Sequence, residues 1–295
     1  MRVLITGAKG MLAYVLAPVL EPDHQVTGVD LADCDVRDPE AVRRTVGGYR
    51  PELVMHLAAY TDVDGCELNG LRAKETNGEG TRNIAQAAKE FGAAVLYVST
   101  DYVFDGHQAE PYGEDAPTNP LNAYGLSKLE GELYLQAILD RYFIVRTSWL
   151  YGPMGRNFVG TILELAQHRR ELQVVDDQRG SPTYTRHLAS KLAQLARTEQ
   201  YGVYHVSGQG SCTWFEFAQA IVNLAGLTGV RVVPVASSQI ARPARRPANS
   251  VLENRRLTSG RWGLIPHWRE GLRCYLEELG LCSKPLPPAE PEFRC

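Results

Sequence analysis

Two short segments, STDYVFDG at residues 99–106 and NAYGLSK at residues 122–128, decide how this chain is interpreted. The apolar run AVLYVS before the first segment predicts a buried strand at residues 94–99, which delivers Thr100 and Asp101 to a loop. A Pro- and acid-rich loop joins the two segments, and a helix is predicted to begin near Tyr124. A strand end, a polar loop and a helix start are therefore expected to lie together.

The first turn of that helix carries Tyr124 and Lys128, four residues apart. Positions i and i+4 share one helix face, so the phenol and the ammonium can enter one pocket. A neighbouring cation favours the phenolate and is expected to lower the pKa of the Tyr124 phenol. The pair therefore predicts acid catalysis. The alternative is an exposed helix turn with a half-buried Tyr and a solvated Lys.

The N-terminal sequence predicts a phosphate-binding turn. An apolar strand at residues 3–6 runs into GAKGMLA, and an apolar helix follows at residues 11–20. Gly7 permits a tight turn, and Gly10 lets the backbone approach a pyrophosphate at the helix N-terminus. Ala13 takes the place of a third glycine, where close packing of helix and strand is needed. The alternative is a plain turn between a strand and a helix.

An acidic residue ends the second predicted strand, residues 25–29. Asp30 is placed to accept hydrogen bonds from the ribose hydroxyls of a dinucleotide, and its carboxylate should repel a 2′-phosphate. This position favours NAD(H). Asp35 and Val36, in the segment that follows, are expected near the adenine.

The alternation of strands and helices continues with strands at residues 53–57 and 142–148 and a helix at residues 71–91, preceded by a loop. This order predicts an α/β fold with a doubly wound parallel sheet of the Rossmann type, helices on both faces and ligands beyond the carboxyl ends of the strands. Five residues fall at such strand ends, namely Gly7, Asp30, Ala58, Thr100 and Trp149.

Beyond residue 150 the pattern is less regular and predicts a smaller, mixed C-terminal unit. We expect an NAD(P)-binding domain at residues 1–150, to which residues 187–208 return, and a mainly substrate-binding domain at residues 151–282. Residues 283–295 are Pro-rich with little apolar patterning, so an extended or disordered tail is predicted.

Composition narrows the functional classes. The 295 residues are 44% hydrophobic and 22% charged, with a net charge of −3, which gives no electrostatic case for nucleic acid or membrane as a partner. No signal peptide or membrane span is recognised, and the six Cys lack the spacing of a metal site or a disulfide framework. A cytoplasmic protein without a metal site is expected.

The motifs together resemble a known family. GAKGMLA, Asp30, STDYVFDG, NAYGLSK and RTSWLYG, in this order, are similar to the extended short-chain dehydrogenase/reductase superfamily. Within it, GRNF, DQRGSPT and RPANS resemble the dTDP-4-dehydrorhamnose reductase family, from residue 2 to about residue 280.

The resemblance implies an enzyme that uses NADH or NADPH to reduce the C4 ketone of dTDP-4-dehydro-β-L-rhamnose, in the biosynthesis of nucleotide sugars for cell-surface polysaccharide. Tyr124 would protonate the C4 oxygen, Lys128 would lower the pKa of Tyr124 and hold the nicotinamide ribose, and Thr100 would bind the developing alkoxide. The implied cofactor contacts are Gly7, Gly10, Met11, Leu12, Asp30, Asp35, Val36, Ala58, Ala59, Tyr60, Tyr124 and Lys128.

For the dTDP-linked 4-keto-6-deoxysugar, the resemblance implies that Thr100 and Asp101 bind the sugar and that Trp149 forms an apolar wall. Guanidinium and amide groups suit a nucleotide diphosphate. The candidates are Asn157, Gln178, Arg245, Arg246 and Asn249. For the two arginines, solvated charge on a loop is the alternative.

Other functions stay open at this point. The substrate could be another dTDP-4-keto-6-deoxyhexose, because the sequence does not fix which sugar face meets the nicotinamide. A non-catalytic regulatory subunit similar to methionine adenosyltransferase beta is the alternative from another class, although intact Thr100, Tyr124 and Lys128 disfavour it. The resemblance also allows a homodimer and Mg²⁺, which some relatives use at a dimer contact.

Overall fold

A computed structural model describes residues 1–260 and 263–282. Its centre is a six-stranded sheet in the order β10-β5-β4-β3-β1-β2, in which every neighbouring pair is parallel. The strands are β1 (Arg2–Thr6), β2 (Gln25–Val29), β3 (Leu53–His56), β4 (Ala94–Thr100), β5 (Tyr142–Thr147) and β10 (Gly202–His205). The predicted doubly wound parallel sheet is confirmed.

Helices cover both faces of this sheet. They are α1 (Met11–Leu20), α2 (Pro39–Tyr49), α5 (Gly80–Phe91), α6 (Ala123–Ile138) and α8 (Thr185–Ala196). Alternate residues of β1 point to opposite faces. Val3 and Ile5 pack with α1 and α8, whereas Leu4 packs with α2, α5 and α6. Burial on both faces explains why these strands are continuous apolar runs.

The segment after β3 differs from the prediction only in part. A short helix lies at residues 63–68, where a loop was expected, whereas the helix predicted at residues 71–91 is present in three successive helical pieces. Two short helices, α3 (Val63–Leu68) and α4 (Gly70–Ala73), lead into a π-helical turn (Lys74–Glu79) that continues as α5. Asp62 and Asn69 cap the two helices by accepting bonds from the backbone N–H groups of Gly65 and Arg72. Short helices that depend on caps lack the apolar periodicity by which a longer helix is recognised.

Residues after β5 form a smaller unit with its own core. It contains β6 (Leu150–Tyr151), β7 (Glu171–Val175), β8 (Arg179–Gly180), β9 (Thr183–Tyr184), β11 (Cys212–Thr213) and β12 (Arg231–Val235). These strands pair two by two as β6–β9, β7–β12 and β8–β11. The helices of this unit are α7 (Phe158–His168), α9 (Trp214–Leu224) and α11 (Trp268–Glu278), whereas α10 (Arg255–Ser259) packs against the core of the main sheet through Leu257. The smaller core includes Tyr151, Phe217 and Trp268.

Strand β7 was not predicted, because Glu171 and Gln173 alternate with apolar residues over only five positions next to a turn-rich segment. Its partner β12 is parallel and distant in sequence. Strand β10 lies beside β5 at the edge of the main sheet. The predicted extended or disordered tail, residues 283–295, lies outside the described residues. Within the described part of the chain, no helix has both the length and the apolar character needed to cross a membrane.

Candidate active site

One cavity of about 830 Å³ lies beyond the carboxyl ends of the parallel strands. Its wall contains all five residues that the sequence placed at strand ends, namely Gly7, Asp30, Ala58, Thr100 and Trp149. A parallel sheet with helices on both faces opens a crevice at this edge, so the topology itself gathers these side chains.

One wall of the cavity is built by the glycine-rich turn, and we call Gly7, Gly10, Asp30 and Ala58 the glycine-loop side. Gly7 has a φ of +71°, and a Cβ there would lie 2.8 Å from the Cα of Ala58. The N–H of Gly10 donates to the carbonyl of Gly7 at 2.9 Å, which directs the chain into α1. Only glycine fits at residue 7, because a side chain there would collide with Ala58. The backbone N–H groups of the first turn of α1 suit an anion.

All twelve side chains and backbone positions that the sequence assigned to a cofactor lie in the cavity wall. They are Gly7, Gly10, Met11, Leu12, Asp30, Asp35, Val36, Ala58, Ala59, Tyr60, Tyr124 and Lys128. The backbone at Gly7 leaves no room for a Cβ, and the N-terminus of α1 lies beside it. Both features fit a bound dinucleotide.

Asp30 is held by the backbone around it. Its Oδ2 accepts from the N–H of Lys9 at 2.9 Å, and its Oδ1 accepts from the N–H of Leu31 at 2.8 Å. Arg37 lines the same part of the cavity and forms a 2.6 Å ion pair with Asp35. The carboxylate that was expected to repel a 2′-phosphate therefore has two donors of its own and cationic neighbours.

The three residues assigned to catalysis, Thr100, Tyr124 and Lys128, meet on the cavity floor. Helix α6 starts at the expected place because the side chain of Asn122 accepts from the N–H of Gly125 at 2.8 Å. Lys128 is 2% exposed. Its Nζ donates to the carbonyl of Val98 at 2.7 Å and lies 4.0 Å from the centre of the Tyr97 ring.

The expectation that Lys128 lowers the pKa of Tyr124 is wrong for the protein alone. Burial raises the pKa of the Tyr124 phenol, and the neighbouring Thr100 hydroxyl only partly opposes this. Burial also lowers the pKa of Lys128 to about 7. Desolvation decides the direction of both pKa shifts because both groups are enclosed. Tyr124 is consequently protonated at neutral pH, which is the state that a proton donor needs.

Asp101 follows Thr100 and is 3% exposed. Its Oδ1 accepts from the Thr100 hydroxyl at 3.1 Å, while Oδ2 has no hydrogen bond of good geometry to any described residue. Burial is the main cause that raises the pKa of Asp101 to about 7. Asp101 lines the cavity, and the Ser250 hydroxyl beside its carboxyl group partly opposes the effect of burial on the pKa. A buried carboxyl group with spare acceptor capacity at a cavity wall suits a hydroxyl-bearing ligand.

Two indoles form the opposite wall, and we call Asp101, Trp149, Trp214 and Arg246 the indole side. Trp149 and Trp214 are stacked with ring centres 3.4 Å apart and planes 5° apart. Trp149 has a φ of +47°, an uncommon conformation for a bulky residue. A Cβ on Gly180 would lie 2.4 Å from the Trp149 ring, so the indole is tightly enclosed.

Arg246 lines the cavity, and its guanidinium makes two 2.7 Å bonds to the carboxylate of Asp64. Asp64 thereby orients Arg246. The N–H of Ala123 likewise donates to Glu67 at 2.9 Å. Two acids of α3 thus fix the entry to α6 and one cation of the cavity.

Four candidates for substrate binding do not line the cavity. Asn157 caps α7 by accepting from the N–H of Gly160, and it donates to the carbonyl of Gly152, each at 3.0 Å. Asn249 donates to the carbonyls of Gln108 and Ala109. Gln178 and Arg245 are also absent from the wall. The two asparagines are engaged within the protein because their amides stabilise turns, so their assigned role has no support from the geometry.

Several residues of the wall were not predicted. They include Lys9, Arg72, Tyr102, Arg156, Trp214 and Arg242. Arg156 lies in the GRNF segment that the resemblance singled out, so a signal was present. Trp214 begins α9, where Thr213 and Glu216 form a capping box. Nothing in the local sequence indicates that this helix start faces Trp149.

The geometry gives no support for Mg²⁺. Across residues 1–260 and 263–282, no group of three or more His, Cys, Asp or Glu side chains is arranged to hold a metal ion. The thiol of Cys66 is buried close to the cavity, its Sγ contacts the carbonyl of Tyr60 at 3.4 Å, and burial raises its pKa to about 12. Such a thiol is inert as a ligand or nucleophile at neutral pH.

Comparisons with known proteins agree over nearly the whole chain. Residues 1–281 match a family model described as "RmlD substrate binding domain". The dTDP-4-dehydrorhamnose reductase of Streptomyces griseus is 41% identical over 294 residues, which are 97% of this chain and 97% of that protein. The dTDP-4-keto-6-deoxy-D-glucose reductase of Streptomyces niveus is 38% identical over 276 residues, 92% of this chain and 95% of that one.

Among solved structures, the crystal structure of dTDP-4-dehydrorhamnose reductase from Bacillus anthracis str. Ames in complex with NADP is similar, with 41% identity and a TM-score of 0.92. The match covers 94% of this chain and 99% of that chain. The likeness therefore extends to both the main sheet and the smaller unit.

Proposed function

This chain belongs to the dTDP-4-dehydrorhamnose reductase family of NAD(P)H-dependent oxidoreductases, and we propose that it reduces the C4 ketone of dTDP-4-dehydro-β-L-rhamnose to give dTDP-L-rhamnose. The observation that carries the proposal is the meeting of Thr100, Tyr124 and Lys128 in one cavity with a glycine-rich turn. A ketone that accepts hydride becomes an alkoxide, and a protonated phenol within reach lowers that barrier.

The proposed division of labour follows the two sides of the cavity. Residues 1–150, with the return of β10, hold the dinucleotide on the glycine-loop side, and the smaller unit supplies most of the sugar-nucleotide site. The bound dinucleotide supplies the hydride. Lys128 holds the nicotinamide ribose, and Tyr124 delivers the proton to the C4 oxygen while Thr100 donates a hydrogen bond to it.

We propose that NADPH is accepted as well as NADH, although Asp30 alone favours NADH. The carboxylate of Asp30 is neutralised in part by the two backbone N–H groups that it accepts from. Lys9 and Arg37 lie on the same part of the wall, and cations there attract a 2′-phosphate. The NADP complex of the Bacillus anthracis relative supports this choice.

On the indole side, the carboxyl group of Asp101 accepts hydrogen bonds from sugar hydroxyls. A hexose ring packs against the edge of the Trp149–Trp214 pair, since aromatic faces and edges suit its apolar C–H groups. Arg246, together with Arg242 and Arg156, provides positive charge for the diphosphate. These roles extend the family assignment to particular side chains.

A second substrate remains a candidate because of one comparison. The Streptomyces niveus protein, named for a dTDP-4-keto-6-deoxy-D-glucose substrate, is almost as similar as the Streptomyces griseus protein. The test is to incubate the protein with each 4-keto sugar and with NADPH or NADH, and to identify the product by NMR. Absence of cofactor oxidation with dTDP-4-dehydro-β-L-rhamnose, but turnover of the other sugar, would overturn the leading substrate.

The proton donor is tested by Tyr124→Phe. We expect kcat to fall by at least about 100-fold, because a positioned acid contributes about 10²–10⁴-fold. The Kd for NADPH, measured by fluorescence titration, should stay within about threefold of the wild-type value because the ring is retained. Tyr102→Phe, which removes a phenol from the same wall, is the matched control and should keep most of the activity. Wild-type turnover by Tyr124→Phe would contradict the assignment.

A further inference from the structure

The polar face of α6 continues beyond the residues assigned to catalysis. Tyr124, Lys128 and Glu132 occur at intervals of four and so lie on one face of the helix. Glu132 is 1% exposed and Lys128 is 2% exposed. A buried carboxylate one turn from a buried ammonium is costly unless it has a purpose in the fold or in the chemistry.

Glu132 is fully engaged by two neighbours from the sheet. The guanidinium of Arg146, on β5, binds its carboxylate with bonds of 2.7 to 3.2 Å from two nitrogens. The Ser99 hydroxyl, on β4, donates to its Oε1. Arg146 is 5% exposed, so Arg146 and Glu132 form a buried, bidentate ion pair.

Three consecutive residues of β4 are attached to this face of α6. The carbonyl of Val98 accepts from Lys128, the hydroxyl of Ser99 donates to Glu132, and the hydroxyl of Thr100 lies beside the phenol of Tyr124. The strand end that presents Thr100 is therefore held against the helix by contacts at three successive positions, one from the backbone and two from side chains.

Glu132 also contributes negative charge close to Lys128 and raises the pKa of that ammonium group. Titratable groups from several elements surround Lys128. Those that act on it or contact it are His56 on β3, Cys66 on α3, Tyr97 on β4 and Glu132 on α6. Asp101 and Tyr124 line the same cavity, and Arg146 on β5 binds Glu132.

Most of these groups are neutral near pH 7. Burial lowers the pKa of His56 to about 3 and raises that of Cys66 to about 12, and it raises the pKa values of Tyr97 and Tyr124. Asp101, with a pKa of about 7, is only partly ionised. Glu132, paired with a cation, is thus the main fixed negative charge on this side of Lys128.

We propose that Glu132 is a positioning residue of the active site, which keeps Lys128 in its ammonium form and holds the end of β4 in register with Tyr124. The inference rests on the proposed function for its kinetic consequence but not for the charge of Lys128 itself. Without Glu132, no carboxylate would offset the burial of the Lys128 ammonium or the cation that Arg146 places at the Glu132 position, and the neutral amine would be favoured. A neutral Lys128 would hold a ribose less firmly and would not support proton release from Tyr124.

The test is Glu132→Gln, which keeps the shape and an acceptor for Ser99 but removes the charge. The chain has only six Lys, so NMR of protein with ¹³C at the lysine ε carbons, with Lys128→Arg for assignment, follows Lys128 directly. The wild-type midpoint is expected near pH 7, from the lowered pKa of this group. In Glu132→Gln it should fall by about one unit or more, the size of shift that a nearby opposite charge produces.

The kinetic readout is the pH profile of kcat. A one-unit fall changes the charged fraction of Lys128 at pH 7 from about one half to about one tenth, so activity should drop about fivefold at pH 7 and recover toward pH 5.5. A purely structural role would lower activity equally at every pH. Glu130→Gln, on the same helix but not among the groups that act on Lys128, is the matched control and should leave both readouts unchanged.

Glu132→Gln leaves Arg146 unpaired and could fail to fold, so a double variant keeps the inference testable. Glu132→Gln with Arg146→Met removes both charges, and the Lys128 midpoint should lie between those of the wild type and the single variant. A midpoint equal to the wild-type value in either folded variant would overturn the inference. The NMR titration needs no substrate, so failure of the inference is distinct from lack of wild-type turnover, which would instead overturn the proposed function.

Discussion

The two sides of the cavity differ in two respects: whether their polar groups have hydrogen-bond partners within the protein, and whether their backbone is free of strain. On the glycine-loop side, the positive φ falls on a glycine, and Asp30 accepts two backbone hydrogen bonds. On the indole side, the positive φ falls on Trp149, and the Oδ2 of Asp101 has no partner of good geometry among the described residues. Strain and unpaired polar atoms that persist in a well-packed fold indicate where a ligand completes the structure.

The difference indicates two modes of recognition. In the proposed function, the glycine-loop side binds the dinucleotide through backbone groups that β1, α1 and β3 hold in place, so this side is preformed. The indole side depends on side chains from both units, which meet only in the folded chain. Thr147 fits the same contrast: it is paired with Thr100 across β4 and β5, lines the cavity, and its hydroxyl lacks a hydrogen bond to the described residues.

The sharpest test of this contrast is Asp101→Asn, measured by thermal and denaturant unfolding from pH 4 to pH 8. Burial raises the pKa of the folded carboxyl to about 7, whereas in the unfolded chain it is about 3.9. Between these values the folded protein holds a proton that the unfolded chain has released. The carboxyl therefore costs stability progressively as pH rises from about 4 to about 7.

The asparagine variant lacks that cost, so it should match the wild type near pH 4 and exceed it by up to about 4 kcal/mol in unfolding free energy at pH 8. It should also raise the KM for the sugar nucleotide, because Oδ2 becomes an amide nitrogen that cannot accept a hydrogen bond from a hydroxyl. Asp33→Asn, at an exposed turn, is the control and should show no such pH dependence. A constant difference across the pH range would contradict the unsatisfied-carboxyl interpretation.

The same contrast explains what the sequence could and could not predict. Gly7, Asp30, Ala58 and Thr100 follow apolar strands, and the topology of a parallel sheet brings strand ends together whatever the details of packing. Trp214 and Arg246 come from loops and helix starts distant in sequence, and their positions depend on contacts such as the ion pair with Asp64. Periodicity describes an element but does not state which turn of a distant helix faces it.

The raised pKa of Tyr124 was missed for a related reason. Spacing of four residues correctly placed Tyr124 and Lys128 on one helix face, but it carries no information on burial. Both groups are enclosed by residues from β3, β4 and α3, and desolvation then decides the direction of each pKa shift. The Asn157 assignment shows the opposite case, in which a motif residue has a structural role that the motif does not reveal.

On the glycine-loop side, Gly7→Ala tests whether the backbone at residue 7 tolerates a side chain. The added Cβ would lie 2.8 Å from two backbone atoms of Ala58 at a φ of +71°, so the turn must shift, at a cost of about 1–3 kcal/mol. The Kd for NADPH should rise at least about tenfold, whereas the Kd for dTDP, measured by calorimetry, should not change. Equal losses for both ligands would break the proposed separation of the two sides.

A matched glycine exists outside the site. Gly48 lies in α2, and a Cβ there meets nothing within 4 Å, so Gly48→Ala should leave the Kd for NADPH unchanged and raise stability by about 0.5–1 kcal/mol. If Gly48→Ala also weakened NADPH binding, the effect of Gly7→Ala could not be assigned to the local backbone.

The smallest effect is expected at Asn157, which lies outside the cavity wall although its segment resembles a substrate-binding motif. Asn157→Ala removes the cap of α7 and should lower the free energy of unfolding by about 1 kcal/mol. Asn157→Ser, which can still cap, should restore most of that loss. Because the amide is bonded within the protein, neither variant should change the KM for the sugar nucleotide by more than about twofold. A large rise in KM in both variants, with stability restored only in Asn157→Ser, would place Asn157 in the substrate site after all, and the indole side would then extend beyond the cavity described for it.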